Sequence, residues 1–195
     1  MSARTVSLLI ETDRLLMRPL TEADLPALVR LRADEEVARY LGGVAAAPVV
    51  EQRLRFYLDC HERYGYGMSA TLSKADGRFL GWSGLQPLED SGETEVGYAF
   101  DKPYWGRGYA TEAAHAWLRY GFEQKGLKRI VAVAAPENAA SRHVMEKLGM
   151  KFERMVWHYG SECVLYAITR ERFVPRAGVY AVRDAQSPGE RRGTQ

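Results

Sequence analysis

The sequence predicts an α+β domain built on one mostly antiparallel sheet that contains a single parallel pair of strands. Three observations lead there. Segments 67–72, 78–87 and 93–100 alternate with period two and are joined by the turn-rich "KADG" and "LEDSGE", the pattern of an antiparallel meander. A strand–loop–helix–strand unit then runs across 95–134, and such a unit is parallel and right-handed by default. Helix-period segments stand on both sides of this middle.

The elements follow in order. "TDRLLMRPL", 12–20, reads as a first strand ended at Pro19. Thr21 is a candidate N-cap, with Asp24 three positions on, for a helix over 21–40 that breaks near Asp34. "GGVAAAP" is a loop, and Leu54, Tyr57, Leu58 and His61 give 49–64 a helical stripe. The meander follows. In its last strand, "EVGYAF", Val96, Tyr98 and Phe100 share one face, while Glu95, Gly97 and Ala99 share the other. That second face is bare enough for something to approach the strand backbone closely. A helix over 109–124 packs through Ala110, Ala113, Ala114, Trp117, Leu118 and Gly121 and stops at Gly126. "RIVAVAA" is apolar throughout, as a strand buried on both faces would be. "NAASRHVMEKLGM" is a helix capped by Asn138 and stopped by Gly149, with Met145 and Met150 meeting across the stop. Two strands, 151–158 and 162–169, complete a count of seven strands and four helices.

The chain has 195 residues, enough for one domain with an ample core. The expected division is a domain over 1–170 and a flexible tail over 171–195, where few large apolar groups remain. A net charge of +2 gives no case for nucleic-acid binding. Cys60 and Cys163 lie outside any Cys/His cluster, which suggests free thiols and no metal site. The apolar run at 6–10 is too short for a signal peptide, and the longest uncharged run, 40–50, contains Gly-Gly and Pro48 and cannot span a bilayer. The expectation is a cytoplasmic protein with no membrane partner.

"YWGRGYATEA", 104–113, is the segment with chemical content. Gly106 and Gly108 leave backbone amides uncovered just before a helix start. Such a start carries about half a positive charge and several unsatisfied N–H donors, and Arg107 adds a full charge. That suits a diphosphate. Glu112, in the first helical turn, would repel an anion unless it is turned away. The Gly-Lys pair of a Walker loop and the third glycine of a dinucleotide loop are both absent. On the loop alone, a phosphate cradle and a plain sharp corner both remain open.

Context separates them. "ETDRLLMRPLTEADLPAL", "EVGYAFDKPYWGRGYATEA" and "NAASRHVMEKLGM" together resemble, in order, stretches of the GCN5-related N-acetyltransferase (GNAT) superfamily. Within it they are similar to the branch of RimJ/RimL-type ribosomal-protein N-terminal acetyltransferases. The resemblance covers roughly 10–169. It implies a GNAT fold with a splayed strand 4/strand 5 pair, acetyl-CoA as cosubstrate and an amine as acceptor, either a protein N-terminus or a small molecule. It also implies that amides across Gly106, Arg107, Gly108, Tyr109, Ala110 and Thr111 hold the diphosphate. The backbone of Tyr98, Ala99 and Phe100 would pair with the pantetheine arm, and Asn138 would contact that arm. The family loop usually begins with Gln or Arg, where this chain has Trp105. A helix tyrosine that serves as acid in many members is replaced by Met145. Those two departures keep a non-catalytic acyl-CoA-binding module as an alternative. Exposed strand edges near the C-terminus allow a homodimer.

Transfer to an amine needs a proton acceptor, because alkylamines are mostly protonated at neutral pH. Glu95 is the candidate, on the face of Gly97 and Ala99; a solvated strand-end charge or a member of an ion pair is the other reading. Ser141 is a candidate donor to the leaving sulfur, or else a first-turn serine bonded to its own backbone. The aromatics Trp82, Tyr98, Tyr104, Trp157, Tyr159 and Tyr166 either line an acceptor pocket or fill the core.

Overall fold

The structure, a computed structural model, describes residues 8–184. Nine strands form one sheet in the order β7-β8-β6-β5-β4-β3-β2-β1-β9. They are β1 (Leu8–Thr12), β2 (Leu15–Pro19), β3 (Met68–Ser73), β4 (Phe79–Pro87), β5 (Thr94–Phe100), β6 (Arg129–Ala134), β7 (Lys151–His158), β8 (Ser161–Thr169) and β9 (Tyr180–Asp184). Among the described residues only β5 and β6 pair in parallel. The helices are α1 (Leu25–Ala33), α2 (Glu35–Ala38), α3 (Ala47–Tyr64), α4 (Tyr109–Glu123) and α5 (Ala139–Lys147).

Two strands exceed the expected seven. The segment read as one strand over 12–20 is the second arm of a hairpin. Leu15 N donates to Thr12 Oγ1 at 3.1 Å in the tight turn, and β1 pairs back onto β2. The other addition lies within 171–195, the segment expected as a tail. Phe173 lies against His115 and Phe122 of α4, at 5.0 and 5.2 Å between ring centroids. The chain then returns as β9, antiparallel to β1 through five residue pairs. The rest of the expected tail, 185–195, lies outside the described residues. The expected break in the first helix is real, because Asp34 ends α1 and its Oδ1 accepts from Glu36 N and Val37 N to start α2.

Alternation places a core on each face of the sheet. Leu85, Val96, Phe100, Ile130 and Ala132 pack under α4 and α5 with Trp117 and Leu118. On the other face Met68, Ala70 and Trp82 pack under α1 and α3 with Leu28, Leu31, Leu54 and Tyr57. β6 serves both faces, as its apolar run requires, because Val131 joins Leu88 and Leu165 in a third cluster. Full burial of such side chains contributes about 1.5–3 kcal/mol each, which fixes the sheet and everything mounted on it.

Candidate active site

β5 and β6 meet at a single register pair, Glu95 with Val131, and part beyond it. β5 meanwhile stays paired with β4 through Phe100. The edge of β5 from Gly97 to Phe100 that faces β6 is therefore an open wedge of main chain. The bareness of Gly97 has an internal cause that the sequence did not reveal: a Cβ there would lie 2.7 Å from Met68 Cε. Room for a ligand is at the edge of the strand, and the Gly97 face is filled by Met68 and Trp82.

At the wide end of the wedge the chain turns into α4. Gly106 and Gly108 have φ of 72° and 80°, in the left-handed region that favours glycine. No side chain caps α4, and its first main-chain hydrogen bond runs from Glu112 N to Gly108 O at 3.0 Å. Among the described residues no acceptor meets the amides of 106–111. A Cβ on Gly106 would meet nothing within 4 Å, so the turn opens to solvent. The Arg107 side chain is exposed and has no carboxylate partner among the described residues. Tyr109 and Ala110 open α4, and Thr111 is buried in its first turn.

Glu112 is turned away from that opening. It accepts from Thr12 Oγ1 at 2.6 Å, Arg14 N at 2.9 Å and Arg14 Nε at 2.7 Å. Arg14 also donates to Arg107 O at 2.9 Å and lies over the Tyr109 ring at 4.5 Å. The β1–β2 turn thus neutralises the one acid of the helix start and braces the loop from outside. Arg14 is a site-building residue that the sequence reading missed. Trp105, in place of the usual Gln or Arg, donates its indole N–H to Phe100 O at 2.7 Å and so anchors the loop to the end of β5.

Asn138 caps α5, its Oδ1 accepting from Ser141 N at 3.1 Å. The Ser141 hydroxyl is not turned back onto its own backbone. It lies 3.0 Å from Tyr98 Oη, which also donates to Ser141 O at 3.2 Å. Burial pushes the Tyr98 phenol up to about 12. A tyrosine from β5 thereby meets the first turn of α5, the helix in which the family tyrosine is missing.

Glu95 lies on the opposite face of β5, only 5% exposed. Its carboxylate accepts from Gln86 Nε2 and from Tyr159 Oη. Gln86 faces it across the β4–β5 ladder, and Tyr159 comes from the β7–β8 turn. Burial raises Glu95 to about 7, although both hydrogen bonds pull the other way. The solvated strand-end reading of Glu95 is therefore wrong. Tyr159 adopts φ 54° and Glu89 φ 42°, the two non-glycine residues with positive φ among those described. They are joined: Glu89 Oε2 accepts from Tyr159 N at 3.1 Å and lies 2.7 Å from His158 Nδ1. Strained backbone of this kind persists where the surroundings over-determine it. Here the consequence is a phenol set on Glu95.

The remaining candidates separate. Trp82 is buried beside Tyr57 at 6.0 Å, Tyr104 and Tyr166 pack into the core, and Trp157 is 72% exposed. No contact joins Glu95 to Ser141. They flank β5 from its two faces. Gln86 was missed, yet a correct pairing of the meander strands would have found it opposite Glu95.

An open strand wedge that leads to an uncapped helix start, with a buried carboxylate at its closed end, has the features of a coenzyme-dependent acyltransferase site. Comparison with known proteins gives the family. The sequence profile of the Acetyltransferase (GNAT) domain matches residues 14–151, more than half of the chain, and the chain belongs to that family. Its relatives include the Bacillus subtilis protein YkkB, 33% identical over 162 residues, with 80% of this chain and 92% of the relative covered. The N-acetyltransferase YnaD of the same organism is 29% identical over 144 residues, with 74% and 83% covered. An acetyltransferase structure from Agrobacterium tumefaciens superposes with a TM-score of 0.75 at 28% identity, covering 82% of this chain and 93% of that one. RimL, an L7/L12 α-N-protein acetyltransferase solved with coenzyme A, shares the fold at a TM-score of 0.67 and 19% identity, covering 86% and 96%. The protein is thus an acyltransferase that uses acetyl-CoA. The open amides of 106–111 and the unpaired edge of β5 fit that coenzyme. Among the described residues no helix is long and apolar enough to cross a membrane.

Proposed function

We propose that the protein acetylates a primary amine by direct attack on the thioester, with Glu95 as proton acceptor. The observation that carries this reading is the buried Glu95 carboxylate, held by Gln86 and Tyr159 and raised to about 7. A base near 7 is matched to an α-amine, which titrates at about 7.7–8.0, and poorly matched to a lysine-like amine at about 10.4. An N-terminal or other α-amine is the better-suited acceptor class. The buried free thiols Cys60 and Cys163 suit action in a reducing cytoplasm.

Acetyl-CoA, when bound, supplies an activated acyl carbon and a thiolate leaving group. The amides of 106–111 with Arg107 would hold its diphosphate, the backbone of Tyr98, Ala99 and Phe100 its pantetheine arm, and Asn138 a polar group of that arm. Glu95 takes one proton from the amine as the C–N bond forms. Ser141 Oγ, backed by Tyr98, donates a hydrogen bond to sulfur as the C–S bond breaks. A phenol at about 12 is too weak an acid to protonate a thiolate near 8.5 outright, so the pair stabilises charge without surrendering its proton. The proton taken by Glu95 returns through water to the departing thiolate, and the site is restored.

Thiol release from acetyl-CoA, followed against a panel of amines and N-terminal peptides, is the test. Glu95→Gln should lower kcat by about 100-fold or more and remove the rise of activity through about pH 7. A retained pH limb would exclude Glu95 as the base. Acetyl-CoA binding with no thiol released by any acceptor would make the protein an acyl-CoA-binding module instead.

A further inference from the structure

The acceptor side of the wedge has an uncompensated positive charge. On α3 the neighbouring arginines are paired one turn away, Arg55 with Glu51 at 2.5 Å and Arg63 with Asp59 at 2.9 Å. Arg53 has Val49 and Tyr57 at the corresponding positions and no carboxylate within ion-pair distance among the described residues. Its exposed guanidinium lies over the rings of Phe56 and Tyr57, at 5.6 and 5.9 Å from their centroids. Tyr57 leans on Trp82 at 6.0 Å, and Trp82 Cζ3 lies 3.6 Å from where a Gly97 Cβ would be. Gly97 and Glu95 share a strand face, so these side chains form a continuous wall from Arg53 to the base.

The charge of Arg53 reaches along that wall. It acts on Glu95, Tyr159 and Glu89, favouring the ionised form of each. None of them pairs with it. Glu95 is committed to Gln86 and Tyr159, and Glu89 to His158 and Tyr159 N. One exposed unpaired arginine would be ordinary. A second stands beside it: Arg32 of α1 feels the charge of Arg53. Among the described residues its terminal nitrogens donate only to neutral carbonyls, Leu41 O and Gly43 O at 2.7 Å each, and its Nε is buried without a partner. Two guanidiniums act on Tyr57 together with Glu95, and neither is ion-paired among the described residues. The fork of Arg53 remains free, and a guanidinium fork matches carboxylate and phosphate geometry.

We infer that the acceptor amine also carries an oxyanion, a carboxylate or a phosphate, which Arg53 holds in the field of Arg32 while the nitrogen faces Glu95. The inference rests on the transferase reading above and narrows its acceptor. Such an acceptor is dipolar, cationic at the nitrogen and anionic at the far end, and the wall offers the opposite charge at each end.

The experiment compares acceptors of equal length: a short amino acid, its amide, an aminoalkyl phosphate and a diamine. The wild type should favour at least one anionic acceptor over the amide by about tenfold in kcat/KM, mainly through KM. Whether the carboxylate or the phosphate leads identifies the anion. Arg53→Gln should erase most of that preference, while any loss of kcat through Glu95 falls equally on the amide and the anionic acceptor. Arg53→Glu should invert it toward the diamine. Arg53 is exposed, so both variants should melt with the wild type. A wild type indifferent to acceptor charge, or a preference that survives Arg53→Gln, overturns the inference while leaving amine acetylation intact. If no acceptor of any kind releases thiol, the transferase reading itself fails and this inference with it.

Discussion

The two halves of the site are made of different materials. The half proposed to hold the coenzyme is local main chain: a strand edge, two glycines and a helix start within 97–111. Its side chains serve to keep out of the way, as Glu112 does when Arg14 draws it aside. The half proposed to meet the acceptor is side chain, assembled from distant elements. Glu95 and Gln86 come from the meander, Tyr159 from the β7–β8 turn, and Arg53 and Tyr57 from α3. A cofactor common to a whole family can be held by backbone that any sequence supplies. An acceptor particular to one member must be recognised by groups that can change without disturbing the cradle.

The sharpest way to break this division is to damage the main-chain half alone. Gly108→Val puts a β-branched residue at φ 80°, with its Cβ 3.5 Å from an Arg14 terminal nitrogen, and covers the helix start. Strain of about 1–3 kcal/mol is expected in the folded state. Loss of two charge-assisted hydrogen bonds would weaken acetyl-CoA binding by about 100-fold or more. Calorimetric titration checks this, with a thermal melt to confirm that the variant folds. Affinity retained within a few-fold would mean that the diphosphate is not held by these amides.

The same division explains what could be read from sequence. Gly106, Gly108 and the first turns of the alanine-rich helix lie within a dozen residues, and their conformational demands are local, so the turn and helix start are visible as a string. The capped α5 and the apolar β6 are visible for the same reason. Strands β1 and β9 are not. Each is five residues long, and what makes β9 a strand is its pairing with β1 some 170 positions away. Ordinary composition gives no sign of that. The tyrosine on Glu95 was hidden in the same way. Tyr159 reaches it from 64 positions along the chain, through a left-handed turn held by Glu89. Among the six aromatics considered for the pocket, residue type alone could not single out this one.

A second prediction acts on the side-chain half. Tyr159→Phe removes a hydrogen bond that holds Glu95 down, so the carboxyl should move above about 7 and carry the rising limb of the activity profile to higher pH. At pH 7 the loss in kcat/KM should be about tenfold, shrinking in more alkaline buffer. Acetyl-CoA affinity should be unchanged. A limb that stays in place would leave Tyr159 as wall and nothing more. Stability gives an independent check on the base. Between about pH 4.5 and 7 the folded protein keeps a proton on Glu95 that the unfolded chain has released, so stability falls as pH rises across that window. The distance from 4.5 to about 7 corresponds to about 3 kcal/mol. Glu95→Gln should flatten that slope and melt higher than the wild type at neutral pH. Poised chemistry here costs the fold part of its stability.

The smallest expected effect falls where the halves meet, at Ser141. Its backbone belongs to the coenzyme half, since Ser141 N satisfies the Asn138 cap, and Ser141→Ala leaves that bond in place. Its hydroxyl belongs to the chemistry through Tyr98 at 3.0 Å. Tyr98 keeps a second acceptor in Ser141 O at 3.2 Å, so the phenol is not stranded when the hydroxyl is lost. Stability should therefore change by less than about 1 kcal/mol, the value of one ordinary hydrogen bond, and acetyl-CoA affinity should hold. Turnover should not. A neutral hydrogen bond to developing sulfur charge is worth about 1 kcal/mol or a little more, so kcat should fall by about five- to tenfold with KM for the amine unaltered. Single-turnover measurement locates that loss in the chemical step. If the step is as fast without the hydroxyl, Ser141 only anchors Tyr98, and sulfur must draw its stabilisation from main chain like the rest of the coenzyme.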